Sequence, residues 1–153
     1  MFLNYKVRRA TIADLSAIIA LLADDELGKN REVASDGISL DYINAFEIID
    51  NDPNAEIVVM TIEDDVIATA QVNYITYLNF QGGMRAQIES VRVHKNYRGQ
   101  KLGEKLMLHI IEQAKNKGCH FVQLTTNKSR ERAKTFYEKL GFVASHEGMK
   151  LAI

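Results

Sequence analysis

The chain is short of several things, and each shortage excludes something. It has one cysteine, Cys119, in 153 residues. No disulfide can form within it, and a reducing, cytoplasmic compartment is the plain expectation. It has one proline, Pro53, and no low-complexity tract or repeat that would mark a linker. Residues 1–153 are therefore expected to form a single domain. Neither sign of charge is in excess: 19 lysines and arginines stand against 20 aspartates and glutamates, a net charge of −1. With no basic block, the electrostatic footprint of a nucleic-acid binder is missing. No apolar run approaches the roughly 18 residues of a membrane span. The start, MFLNYKVRR, places its charges after its apolar residues, the reverse of a secretory leader. The four histidines, at 94, 109, 120 and 146, have no metal-ligand spacing, so no metal is expected.

What remains is 46% apolar, enough for a packed core. Residues 5–10 read as a short strand. Thr11 and Asp14 resemble a capping box before a helix whose apolar positions are Ile12, Leu15, Ile18, Ile19 and Leu22. Residues 27–38 are polar and aperiodic and read as a loop. Ser39 is placed to cap a second helix reaching about Asp50. Strands are expected at 56–62 and 66–78, joined at Glu63-Asp64-Asp65, and through QIESVRV at 87–93. From Lys101 the period becomes helical, with Leu102, Leu106, Ile110 and Ala114 on one face and Gly118 as the stop. A strand at 121–126 and a helix at 129–140, ended by Gly141, follow. The tail FVASHEGMKLAI reads as two short strands. Strands and helices in this order give a mixed α/β (α+β) sheet with helices on its faces, including a right-handed crossover from 87–93 to 121–126.

One stretch carries chemistry: YRGQKLGEKL, Tyr97 to Leu106, where strand gives way to helix. The first turn of a helix leaves about four N–H groups without partners, at the positive end of its dipole. An anion placed there is hydrogen-bonded and charge-stabilised at once. Glycine lets the backbone come close, and Arg98 adds a forked donor. The alternative is a tight turn that uses Gly99 for geometry and Gly103 for packing. The stretch is neither a Walker loop nor a G-x-G-x-x-G fingerprint.

SVRVHKNYRGQKLGEKLM, followed by TTNKSRERAKTFYEKLGF, resembles the GNAT superfamily of acetyl-CoA-dependent N-acetyltransferases. The family's loop reads [Q/R]-x-x-G-x-[G/A]. Here Arg98 and Gly103 match, and Lys101 stands where the central glycine is usual. A helix start does not demand positive φ, so the lysine is expected to fit. The resemblance implies a largely antiparallel sheet of about six or seven strands with a splayed central parallel pair, flanked by about four helices. It implies acetyl-CoA as co-substrate and an amine acceptor, with cofactor contacts from Val91, Arg92, Val93, Arg98, Gly99, Gln100, Lys101, Leu102, Gly103, Glu104 and Asn127. It places the Tyr137 hydroxyl at the thioester sulfur.

Simple alternation puts Glu89, Val91 and Val93 on one face of their strand. A carboxylate on an apolar face would be desolvated toward a useful pKa for a general base, directly or through water. The alternative is an exposed glutamate paired with Arg85 or Arg92. For Tyr137 the alternative is a core aromatic. Cys119 sits at a helix C-terminus, which disfavours a thiolate nucleophile. Asp24-Asp25-Glu26 reads as a solvated face, or as a lure for a cationic amine. His146 lies within reach of a substrate side. Unpaired edges of the final strands would allow a homodimer. A non-catalytic acyl-CoA binding module is the competing function, and a nucleotide-binding domain is a third.

Overall fold

Five strands make one sheet in the order β1-β2-β3-β4-β5: Tyr5–Arg9, Ala55–Ile62, Asp65–Thr76, Met84–Val93 and Phe121–Leu124. The first three pairings are antiparallel, and β4 pairs with β5 in parallel. A parallel neighbour needs a crossover, and helix α4 (Leu102–Asn116) supplies it. The computed structural model describes residues 4–32 and 37–153. The remaining helices are α1 (Leu15–Ala23), α2 (Leu40–Asn51), a single turn α3 (Asn79–Gly82) and α5 (Glu131–Lys139).

Each face of the sheet has its own core. Leu102, Leu106, Ile110 and Ala114, one stripe of α4, are 0–1% exposed and pack on Met60, Val72 and Ile88. On the other face Leu15, Ile18 and Ile19 of α1 meet Phe46 of α2 over Val59. The capping box at Thr11 exists, but it opens a 3-10 turn, Ile12–Asp14, rather than α1 itself. Asp14 is tied twice. It accepts from the Thr11 amide at 2.8 Å, and from both Arg8 guanidinium nitrogens at 2.7 and 2.9 Å.

Two expectations need correction. Residues 143–153 form no strand, so among the described residues the sheet has five strands and not six or seven. A strand persists only on a partner edge, and the tail pairs with none in its own chain. The aperiodic loop at 27–38 contains a 3-10 turn at Gly28–Asn30, and its residues 33–36 lie outside the described residues. In the connection after β3, Phe80 and Gln81 both adopt left-handed φ, of 53° and 59°.

Candidate active site

β4 is the strand from which the site is built. Its pairing with β5 stops at Ile88 and Leu124, while β4 runs on to Val93. The side of β4 that faces β5 has no strand partner from Glu89 onward; there the Val91 carbonyl accepts from the Arg92 side chain at 2.8 Å and the Val93 carbonyl from Arg98 at 3.0 Å. The pairing with β3 also breaks. Thr69 faces Arg92 and Gln71 faces Glu89, so β4 holds one residue more than β3 across that interval. This is a β-bulge, and Ser90 takes it up with φ of 56°.

The bulge overturns the expected alternation. Ala86 and Ile88 lie in the α4-side core, and Val91 and Val93 pack against that same core. Gln87 and Glu89 therefore face the opposite side of the sheet from Val91 and Val93, and beyond the bulge Arg92 joins them there. Glu89 is exposed and has no apolar surround. It accepts from Gln87 Nε2 at 3.0 Å, and Gln87 in turn accepts from Gln123 Nε2 at 2.7 Å.

The loop before α4 is tighter than a plain helix start. Gly99 has φ of 78° and Lys101, at the N-cap, φ of 59°. Position 101 does use the left-handed region, so the lysine carries strain that a glycine would not. Leu102 is a core residue, so only its amide can face a ligand. Gly103 is there for close packing: a Cβ would stand 3.3 Å from Val93 Cγ2 and 3.6 Å from Phe136 Cζ. Arg98 is a brace. Its Nε donates to the Val93 carbonyl at 3.0 Å, and another guanidinium nitrogen donates to the Asp24 carbonyl at 3.1 Å. The exposed Gln100 and Lys101, and the amides of 102–104, remain at the mouth of α4.

A cavity of about 560 Å³ opens beside this loop, lined by Asp25, Val91, Arg92, Val93, Arg98 and Arg130 among others. Asp25 is its electrostatic centre. It accepts from Arg92 at 2.9 Å and from Arg130 at 2.7 Å. Burial alone would raise the Asp25 pKa, but the Arg130 hydrogen bond and both guanidinium charges hold it below the usual carboxylate value. Arg92 Nε is buried without a partner. Burial pushes the Tyr137 hydroxyl above its ordinary pKa, with Arg92 and Arg130 pulling back in part. Among the described residues no hydrogen bond engages that hydroxyl, and its ring packs against Phe136 and Phe142 at 5.1 and 5.8 Å.

The profile of the acetyltransferase (GNAT) family matches residues 19–142. The chain belongs to the GNAT family. It is 43% identical over 74 residues to the glucosamine 6-phosphate N-acetyltransferase of Trypanosoma brucei brucei, a match over 47% of this chain and 48% of that one. It spans about half the length of that curated relative. It is 26% identical over 144 residues to the aminoalkylphosphonate N-acetyltransferase of Salmonella typhimurium, covering 92% of this chain and 86% of that one. Among solved structures, a Bacillus halodurans protein described as a transcriptional regulator superposes with a TM-score of 0.95 at 43% identity, over 98% of this chain and all of that one. The Arabidopsis thaliana glucosamine-6-phosphate N-acetyltransferase superposes at 0.80 with 25% identity, over 97% and 98%.

Within this GNAT fold the other sequence candidates fall as follows. Asn127 lies in the loop after β5, where its Oδ1 accepts from the Ser129 amide and hydroxyl at 2.9 and 2.8 Å, shaping the entry to α5. Cys119 packs on the core, and burial raises its pKa further from that of a nucleophile. His146 is exposed and bonds Ser145. Among the described residues no three His, Cys, Asp or Glu side chains are grouped to hold a metal, and no helix is long and apolar enough to cross a membrane. Asp25 and Arg130 were missed as a pair. Asp25 is no solvated face, but its partners lie 67 and 105 residues away and leave no local signal.

Proposed function

We propose that the protein transfers an acetyl group from acetyl-CoA to a primary amine, by direct attack in a ternary complex. The observation that carries this reading is the parting of β4 from β5 beside the mouth of α4. There, the stretch of β4 from Glu89 to Val93 that β5 leaves unpaired meets the helix amides at 102–104. The strand peptides suit an amide-bearing pantetheine arm, and the helix mouth suits a pyrophosphate. In this reading Val91, Val93 and Asn127 contact the pantetheine arm, while Gly99 supplies the turn before α4 and Gly103 its close packing on Val93 and Phe136. The reading sets the protein in the cytoplasm, where acetyl-CoA and reduced thiols are found.

At pH 7 an amine of pKa ~10.4 costs roughly 4–5 kcal/mol to deprotonate. Glu89, exposed and oriented by Gln87, takes that proton through a water. The leaving thiolate has a pKa of about 8.5 by analogy with cysteine. A tyrosine raised above its ordinary value cannot give its proton away downhill, so Tyr137 stabilises the departing sulfur by donating a hydrogen bond. Its hydroxyl has no competing partner among the described residues. A binding module without catalysis would need neither group.

For the acceptor we infer an amine that also carries an anionic group. Two guanidiniums share one carboxylate in the cavity, and Arg92 Nε remains unsatisfied. Two of the relatives are named for acceptors of that kind, a sugar phosphate and a phosphonate.

Calorimetric titration with acetyl-CoA, beside the Lys101→Glu variant, tests the cofactor site. Lys101 is exposed, so the variant reverses the charge at the mouth of α4 without opening the core. Saturable micromolar binding, weakened tenfold or more in the variant, is expected. No binding by the native protein overturns the reading. Thiol release with a phosphorylated amine and its unphosphorylated counterpart then tests the acceptor class.

A further inference from the structure

β3, β4 and β5 carry a row of carboxamides on the face away from α4. Val72, Ile88, Val122 and Leu124 belong to the α4-side core, so alternation turns Gln71, Asn73, Gln87 and Gln123 to the opposite face, with Glu89 beside them. The register sets Gln71 across from Glu89, Asn73 across from Gln87, and Gln87 across from Gln123. On this face the pair Gln87 and Gln123 is the last before β4 and β5 part, since the final pair, Ile88 and Leu124, points the other way.

The hydrogen bonds there run in one direction. Gln123 Nε2 donates to Gln87 Oε1 at 2.7 Å, and Gln87 Nε2 donates to Glu89 Oε1 at 3.0 Å. The carboxylate fixes that direction, because it only accepts. Gln87 must turn its amide nitrogen to Glu89, its oxygen is left toward β5, and only a donor at position 123 satisfies it. Both arginines of β4 are engaged elsewhere. Arg92 is bound by Asp25 at 2.9 Å, and Arg85 lies over the Tyr77 ring at 4.2 Å. A guanidinium on a carboxylate favours its charged form and weakens it as a base. A carboxamide orients it and adds no charge.

We propose that Gln123 is a positioning residue for acetyl transfer. It acts through Gln87, which pins Glu89 by one oxygen and leaves Oε2 to the amine or its bridging water. The base is thereby tied to β5, the strand whose departure from β4 opens the cleft. This rests on the reading of Glu89 as the base.

Thiol release from acetyl-CoA with glucosamine 6-phosphate tests it on the full chain. Gln123→Leu keeps nearly the size of the side chain and removes the donor. Turnover is expected to fall about fivefold, with acetyl-CoA affinity held within about twofold. In Glu89→Gln protein the same substitution changes turnover by less than about twofold, because the residue it acts through is gone. Gln123→Lys, which can only donate, recovers most of the loss. Equal losses in both backgrounds, or no recovery by lysine, overturn the proposal, since a loosened fold does the same. The relay is also read without turnover, from the exchange of the Gln87 carboxamide protons with water in nitrogen-15 NMR. Exchange is expected to quicken about tenfold in Gln123→Leu, and unchanged exchange overturns the proposal. Native turnover in Glu89→Gln shows instead that the reading of Glu89 has failed. Quickened exchange in a chain that releases no thiol shows that the acetyl-transfer reading has failed. In both cases the proposal falls with that reading.

Discussion

Arg130, just ahead of α5, donates to the Asp25 carboxylate at 2.7 Å, and Arg92 of β4 shares that carboxylate at 2.9 Å. One side chain after α1 thus holds together two elements that part from each other. β4 and β5 separate after Ile88 and Leu124, and Asp25 ties the far side of that gap shut through the loop following β5. Like-charged guanidiniums so placed need the shared carboxylate.

Asp25→Asn is expected to cost about 2 kcal/mol of stability, below the range for a fully buried pair because solvent still reaches Arg130. Urea denaturation measures it. Acetyl-CoA affinity is expected to fall together with stability, because the walls of the cavity lose their tie.

Acid weakens the fold through two carboxyls. The Arg8 hydrogen bond holds Asp14 below its ordinary pKa, and the arginines do the same for Asp25 against the opposing effect of burial. Each therefore binds a proton less readily folded than unfolded. Their contribution is complete above about pH 4 and is lost as pH falls through the lower folded values. Urea midpoints at pH 7, 4 and 3 trace this, and Asp14→Asn with Asp25→Asn flattens the slope.

Tyr137→Phe is expected to lower turnover about 100-fold while acetyl-CoA affinity changes less than threefold. Glu89→Gln should lower turnover about tenfold or more with native cofactor binding. Equal turnover in either variant removes that residue from the mechanism.

Lys101→Gly is expected to stabilise the protein by about 0.5–1 kcal/mol. It relieves roughly 1–2 kcal/mol of left-handed strain and gives back part of that in glycine's greater unfolded freedom. Lys101→Val, branched at Cβ, should destabilise by about 1 kcal/mol. Thermal melts of the three proteins decide the order.

Much of the fold is legible where the signal is local. The α4 stripe repeats at 3.6 residues from Leu102 to Ala114, and Gly118 stops it with φ of 80°. Thr11 and Asp14 announce their turn within four residues. Legibility fails where the cause is not local. The bulge at Ser90 is one extra residue in one strand, unmarked by glycine, so plain alternation puts Glu89 on the wrong face. Asp25 looks like part of an acidic run because its arginines are distant in sequence. The tail has the pattern of a strand but pairs with no edge of its own chain. At the loop, the lysine hides a backbone shape that a glycine would have disclosed.

A pleated strand has a parity, even positions to one side and odd to the other, and Ser90 reverses it partway along β4. Before that residue the even positions, 86 and 88, must be apolar, and after it the odd ones, 91 and 93, must be. Straightening β4 at residue 90 while keeping every residue would turn Val91 and Val93 toward the other face and drive Arg92 into the core, with no change in any side chain. Tolerance to substitution along β4 should therefore follow two opposite rules, and the residue where they switch marks where the strand stops being scaffold.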